Sequence, residues 1–267
     1  MKRRQKKTVS FREQVSACFH DRYWLIIMDF CISYNVLNIL STNTILYYSN
    51  WVLGNSVDSG TKYQVILNAI GQAPLGFGIF ALWPLVGKFG KKKVSQIGFL
   101  IGAAGSLLVL LQPQSLLPVL VGLFIKSIGA LPTYLMAAFM AEALDHIEYK
   151  YGYRADGFSA SAQSIIITIS AGIGQSIILG GINALGYIAP TSTSDIISQP
   201  AAMQTFFTVC FVGVPLAGYI VCAILTSIFD LDDRMDEISA AIEARHKKQN
   251  ENNIEPGERA DSEEEKS

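Results

Sequence analysis

Six stretches of this chain are long and apolar enough to cross a lipid bilayer, and they account for most of its length. A helix needs about 20 apolar residues to span the hydrocarbon core. The runs at about 23–47, 63–86, 94–112, 116–141, 160–188 and 205–229 meet that requirement. Charge is kept out of them. Residues 23–229 hold 8 of the chain's 21 Lys+Arg and 7 of its 22 Asp+Glu, and the rest crowd into the first 22 and last 38 residues. A soluble domain carries roughly a quarter charged residues over its surface. This middle cannot cover itself that way. The pattern predicts an all-α polytopic membrane protein, a six-helix bundle between solvated ends, and excludes most soluble enzyme classes. The formal net charge of −1 is a cancellation between a basic head and an acidic tail. It points to no nucleic-acid partner; the lipid bilayer is the partner the sequence implies.

The connections predict the orientation, because Lys and Arg concentrate on the cytoplasmic side. The head carries seven Lys/Arg, the second-to-third connection carries Lys88, Lys91, Lys92 and Lys93, the fourth-to-fifth carries Lys150 and Arg154, and the tail carries six. The alternate connections hold only Lys62. Both termini are expected in the cytoplasm, with the bundle as a multi-pass protein of the cell (plasma) membrane. A cleavable signal peptide is not expected, since the apolar run after the basic start begins only near Tyr23 and is too long for one. In the tail, 230–248 has Leu231, Ile238 and Ile242 at helical spacing and predicts an amphipathic helix. Residues 249–267 are acidic and lack aromatics, which predicts a disordered segment. Cys31, Cys210 and Cys222 fall inside apolar runs and Cys18 just before one, so they read as small buried hydrophobes.

Polar side chains inside spans mark a protein interior or a water-filled cavity. The first span carries Asn35, Asn38 and Thr42 on one helical face, with Asp29, Ser41 and Asn43 nearby. The second carries Asn68 and Gln72 four apart, and the fifth carries Gln163, Ser164, Thr168 and further hydroxyls. Such amides and hydroxyls suit an uncharged polyhydroxy solute. Lys126 stands about ten residues into the fourth span, about 15 Å deep at a helical rise of roughly 1.5 Å per residue. A charge there is expensive, so it is expected to pair with a carboxylate such as Asp29 or to donate to a substrate. The small pairs Gly98/Gly102 and Ser170/Gly174 predict close helix approach. His20, His146 and His246 lie outside the spans, and no catalytic or nucleotide-binding motif is present. No enzyme, cofactor or metal site is expected.

The connection Glu142-Ala-Leu-Asp145-His146-Ile-Glu148-Tyr149-Lys150-Tyr-Gly152-Tyr-Arg154-Ala-Asp156-Gly157 resembles a family signature. That family is the glycoside–pentoside–hexuronide (GPH) cation symporters, melibiose-permease-like carriers of the major facilitator superfamily. Asp145, Glu148, Tyr149, Lys150, Gly152, Arg154 and Gly157 match its pattern. Glu142 and Asp156 are acidic swaps, and His146 departs. Tyr47–Gly54, Pro84–Lys93, Leu185–Tyr187 and the segment from Phe11 to Tyr23 agree in order. The resemblance covers about residues 10–248 and only the C-terminal six of the family's twelve spans. It implies sugar transport by alternating access, completed by a second six-span half or by self-association. It places Gln163 and Ser164 beside the sugar and makes Glu142, Asp145, Glu148, Lys150, Arg154 and Asp156 a cytoplasmic gate, whose ion pairs can latch helix ends in one state and release them in another. A coupling cation, Na+ or H+, would belong to the family, but its acidic site lies mainly in the other half, and Thr168 replaces a helix-eleven lysine. The alternatives are a truncated remnant without transport, or a membrane scaffold or sensor that uses its acidic tail.

Overall fold

The structure, a computed structural model, describes residues 9–253, with the side chains of 233 and 249–253 left aside. It is all-α among the described residues, as the hydropathy pattern requires. A short α1 (Phe11–Phe19) leads into α2 (Arg22–Tyr48), whose last residues widen into a π-turn at Ser49–Leu53. α3 (Val57–Phe89) and α4 (Lys91–Leu111) follow. The fourth span is broken: α5 (Leu116–Gly129) ends in a 3₁₀ turn at Leu131–Leu135, and α6 (Met136–Tyr151) resumes. α7 (Asp156–Ala184) is the fifth span. α8 (Ala201–Thr208), a π-turn at Val209–Gly213 and α9 (Val214–Ile228) make the sixth. A 3₁₀ turn at Asp232–Arg234 leads into α10 (Met235–Asn253), which runs a few residues past the expected boundary. The rest of the expected acidic tail lies outside the described residues. Six of these helical rods are long and apolar enough to cross a membrane.

The spans pack side by side in the order α3, α5, α4, α9, α2, α7. α4 is the centre of that arc, and glycine makes its contact with α5 possible. A Cβ on Gly122 would stand 2.8 Å from the Gly105 carbonyl oxygen, and Gly129 lies against the backbone of Gly102. Gly98 faces Pro132, and Gly174 faces Ile39 of α2. Small residues let helix backbones approach where lipid tails offer no hydrophobic drive for association. The two outermost helices, α3 and α7, each bury only 17% of their most apolar window. They expose Phe77, Phe80 and Trp83 on one and Ile165, Ile167 and Ile169 on the other.

A second order of structure gathers at the end of the bundle where α1, α10 and the signature meet. Asp21 caps α2, accepting from the Trp24 amide at 3.0 Å. Trp24 donates its indole N–H to Ser159 Oγ of α7 at 2.8 Å and stacks on Phe158. α10 seats Ile238 in the cluster formed by Ile147, Phe229 and Leu231. Arg245 of α10 donates to the carbonyls of Glu148 and Tyr149 at 2.7 and 3.0 Å, satisfying acceptors at the end of α6. Gly152 ends α6 with φ +81, a left-handed cap that disfavours a Cβ. Gly152→Ala is expected to lose about 1 kcal/mol of stability, seen as a lower unfolding midpoint in detergent, with no change in helix content.

Candidate functional site: a polar cavity around a broken helix

One cavity of about 140 Å³ lies in the bundle, walled by α2, α3, α5 and the π-turn and first turns of α9. α2 and α3 meet chiefly through the π-turn that ends α2, so the gap between them along the rest of their length is the space the cavity occupies. Its polar lining comes from Tyr34, Asn38, Ser41 and Thr42 on α2, Asn68 and Gln72 on α3, and Lys126 and Ser127 on α5. Leu67, Leu75, Leu123 and Phe211 supply apolar walls.

On α2 the polar groups form a chain at i, i+4 spacing. Thr42 Oγ1 donates to Asn38 Oδ1 at 3.1 Å, and Asn38 Nδ2 donates to Tyr34 Oη at 2.9 Å. This orients one amide toward the cavity and leaves hydrogen-bonding capacity for a solute. Asn68 and Gln72 sit one turn apart on α3 and face the same space. Asn35 does not join them. Its neighbour Tyr34 lines the cavity, but Asn35 points about 100° further round α2, and its amide is spent on the Cys31 carbonyl at 2.8 Å.

Lys126 is the structural centre of the site. It is 8% exposed and lies in the last turn of α5, just before the helix breaks. The C-terminal end of a helix carries partial negative charge and favours a cation there. Its Nζ donates to Ser41 Oγ at 2.7 Å and to the Phe211 carbonyl at 3.2 Å, and stands 5.0 Å from the Phe211 ring centroid. Phe211 lies in the π-turn, and its carbonyl also accepts from Ser41 Oγ at 2.9 Å. π-turns redirect backbone carbonyls and often sit at functional sites. Tyr219 Oη donates to the Lys126 carbonyl at 3.3 Å, satisfying one acceptor at the helix break. The expected pairing with Asp29 is not formed. Asp29 stands twelve residues before Ser41 on the same helix, about 18 Å away along its axis.

The other candidates divide. Gln163, Ser164 and Thr168 are not brought to this cavity, because α7 packs on α2 away from it and contributes nothing to the lining. Ser164 and Thr168 are exposed and donate to their own helix, to the Ala160 and Ser164 carbonyls at 3.0 Å each.

Four of the six signature residues form ion pairs at the end where α10 docks, and a fifth, Glu148, hydrogen-bonds a histidine. Arg154 pairs with Asp145 and, at 2.8 Å, with Asp156. Burial pulls the Arg154 guanidinium down, but its hydrogen bond to Asp156 and the charge of Asp145 outweigh it, and its pKa stands above the ordinary value. Glu142 is buried and pairs with Lys91, which also binds Asp232 at 2.7 Å. Glu148 binds His246 of α10 at 2.7 Å. Lys150 is exposed and lies 5.1 Å from the Tyr151 ring, with no carboxylate partner among the described residues, so it stands outside the network. His146, the departure from the signature, bonds the fully buried Asp21 at 2.6 Å. Lys91, Asp232, Asp21 and His246 could not be assigned to this network from sequence spacing, since their partners are 51 to 141 positions away. Only the lysine run at the start of α4 hinted at it: three cations at a helix N-terminus oppose its dipole and need acids nearby.

Six membrane-length helices, a polar cavity at the break of one of them and an ionic network at one end define a polytopic membrane protein built around an internal solute-sized site. Residues 1–233 match the family model for MFS/sugar transport proteins, and the chain belongs to that family. It is 25% identical over 198 residues to the isoprimeverose transporter of Lactiplantibacillus pentosus, covering 71% of this chain and 40% of that protein. It is 32% identical over 172 residues to the glucuronide carrier protein homolog of Escherichia coli (strain K12), covering 62% of this chain and 36% of that protein. The resemblance read from Glu142–Gly157 and these matches agree. The matched segments span about two fifths of the length of these relatives.

Proposed function

We propose that this six-span unit is one bundle of a secondary sugar carrier. It supplies half of a solute site that a second six-span bundle, in the same chain or another, completes. The carrying observation is the cavity at the break in the fourth span, with amides and hydroxyls of α2 and α3 converging on it. Amide groups offer donors and acceptors together, which matches the dual character of sugar hydroxyls. Carriers of this architecture bind solute near the midplane between two bundles, at discontinuous helices. The exposed Ser164 and Thr168 on α7 then face the second bundle or the solute path. The lysine asymmetry of the connections supports a cytoplasmic location for both termini, in the cell membrane. On that reading the ionic network is the cytoplasmic gate, which holds α6, α4 and α10 together in one state and loosens in the other.

The test is uptake of labelled sugar by proteoliposomes containing the full chain, alone and with a second six-span bundle of the family. Saturable uptake is expected in at least one pairing. Asn38→Leu with Gln72→Leu is expected to lower it about tenfold or more, because each leaves sugar hydroxyls unpaired. Absence of uptake in every pairing overturns the reading.

A further inference from the structure

The back of the bundle, away from the cavity, carries a seam between α4 and α9 with a basic rim. α4 contributes nothing to the cavity lining. Its inner side packs Phe99 and Ala103 against Tyr219 and Cys222 of α9. Its outer side exposes Ile97, Leu100 and Leu107, which share one face with Lys93, within about 80° at helical spacing. α9 exposes Ile220, Ile224 and Ile228 in a second stripe of the same kind. Gln96 Nε2 of α4 donates to Ser227 Oγ of α9 at 3.1 Å and joins the two walls near their ends. Three cations stand over that end. Arg22 is exposed and donates to the Ile228 carbonyl at 3.4 Å, where α9 stops. Lys92 and Lys93 open α4, and Lys93 is exposed. Lys91 turns inward and takes Glu142 and Asp232, so those acids are already spent. Asp230 is the carboxylate on which Arg22 and Lys92 both act. A hydrogen bond with Tyr23 holds it below the ordinary carboxylate range, and the two cations add to that. The rim therefore sets three cations against one acid, at the edge of an apolar wall.

We propose that the outer seam of α4 and α9 binds an anionic phospholipid, with its headgroup phosphate among Arg22, Lys92 and Lys93 and its acyl chains along the two apolar stripes. Basic pockets between membrane helices, at the level of the headgroups, select lipids that carry net negative charge. Three cations at this rim repel one another, and two of them stand at the positive end of the α4 dipole. A phosphate relieves both. A headgroup that brings its own ammonium beside the phosphate adds a further cation and relieves neither. A soluble phosphate satisfies the rim but leaves the stripes uncovered, so the lipid is the occupant that fits both parts. The seam lies opposite the residues of α9 that line the cavity, Pro215, Gly218, Tyr219 and Cys222, so closure of a second bundle over the cavity leaves it exposed to the bilayer.

The test offers the full chain, in detergent micelles, equal amounts of dioleoyl phosphatidylglycerol, phosphatidylcholine and phosphatidylethanolamine, and counts bound lipid by native mass spectrometry. Phosphatidylglycerol is expected to bind at least about tenfold in preference to either of the others, the scale that roughly two uncompensated basic side chains contribute near a charged surface. Lys92→Gln with Lys93→Gln is expected to cut that preference below about threefold. Lys92→Arg with Lys93→Arg is expected to keep it. Lys150→Gln, which removes an exposed lysine of α6, is expected to change it by less than about twofold. Where the double glutamine variant does not assemble, the three lipids on the unaltered chain decide with the Lys150 control. Equal binding of the three lipids overturns the proposal, and so does a preference that survives the glutamine pair or falls as far with Lys150→Gln. Preferred binding of phosphatidylethanolamine overturns it as well and assigns Asp230 to an ammonium. Displacement of phosphatidylglycerol by millimolar glycerol 3-phosphate shows a site for the free anion and overturns the lipid. None of these outcomes bears on the sugar-carrier reading, which rests on the other side of the bundle.

Discussion

Lys91→Met is expected to destabilise the protein by about 3–5 kcal/mol, the range measured when one partner of a buried ion pair is removed. Lys91 holds Glu142 and Asp232 at once, tying the start of α4 to α6 and to the turn before α10. The Glu142 side chain is only 9% exposed, and one of its oxygens, Oε2, already has no hydrogen-bond partner. Without Lys91 that carboxylate is left uncompensated in an apolar setting beside Phe139. Asp232, at 25% exposed, can turn to solvent and contributes less. The pairing predicts its own rescue. Lys91→Met combined with Glu142→Leu removes both charges, and the double variant is expected to recover most of the loss, since apolar replacements of buried pairs are often neutral or better. Unfolding in detergent, followed by helix signal against denaturant, measures all three. A single-variant loss under about 1 kcal/mol would show that the pair is solvated and that the network does not bind these helices together.

Gly105→Val is expected to cost at least about 3 kcal/mol, at the upper end of overpacking losses, because backbone cannot yield as a side chain does. A Cβ on Gly105 would meet the Gly122 carbonyl oxygen at 2.6 Å and press on the amide nitrogen of Lys126. The consequence reaches the site. Pushing α5 away from α4 displaces Lys126 from Ser41 and the Phe211 carbonyl, so solute binding is expected to fall by about tenfold or more in whatever fraction still folds. Gly76→Ala is the control: nothing lies within 4 Å of its added Cβ, and it faces neither helix partner nor site. Comparable losses from the two substitutions would mean that α4 and α5 do not touch as closely as described.

The elements differ in how far a linear reading reaches them. The six spans follow from apolar length alone, since a bilayer leaves the backbone little choice but helix. Asn38, Thr42, Asn68 and Gln72 were visible as polar positions at helical spacing, and all four line the cavity. Asn35 stands between Tyr34 and Asn38, which both line the cavity, yet its amide turns back to the Cys31 carbonyl, a choice that helical spacing does not show. The break in the fourth span had a trace in Gly129-Ala130-Leu131-Pro132, yet proline inside a membrane helix is compatible with continuity, so the sequence could not separate a kink from a break. The partners of Lys126 were not legible at all. Ser41 is one of many hydroxyls, and the Phe211 carbonyl carries no side-chain signal.

The sequence by itself determined the class: a multi-pass helical membrane protein whose charges avoid the spans, with a signature that ties it to sugar carriers. Those properties are local, because hydropathy, charge and a sixteen-residue motif act through the residues that carry them. Only the tertiary structure decided what the charges do. It turned Lys126 from a deep lysine seeking Asp29 into a cation held by a hydroxyl, a π-turn carbonyl and a helix end. It also joined five of the six signature residues into a network that draws on Lys91 of α4, Asp232 and His246 of α10, and left Lys150 outside it. Both outcomes depend on which helix lies beside which, and that order is set by glycine contacts and interhelical hydrogen bonds between residues far apart in the chain.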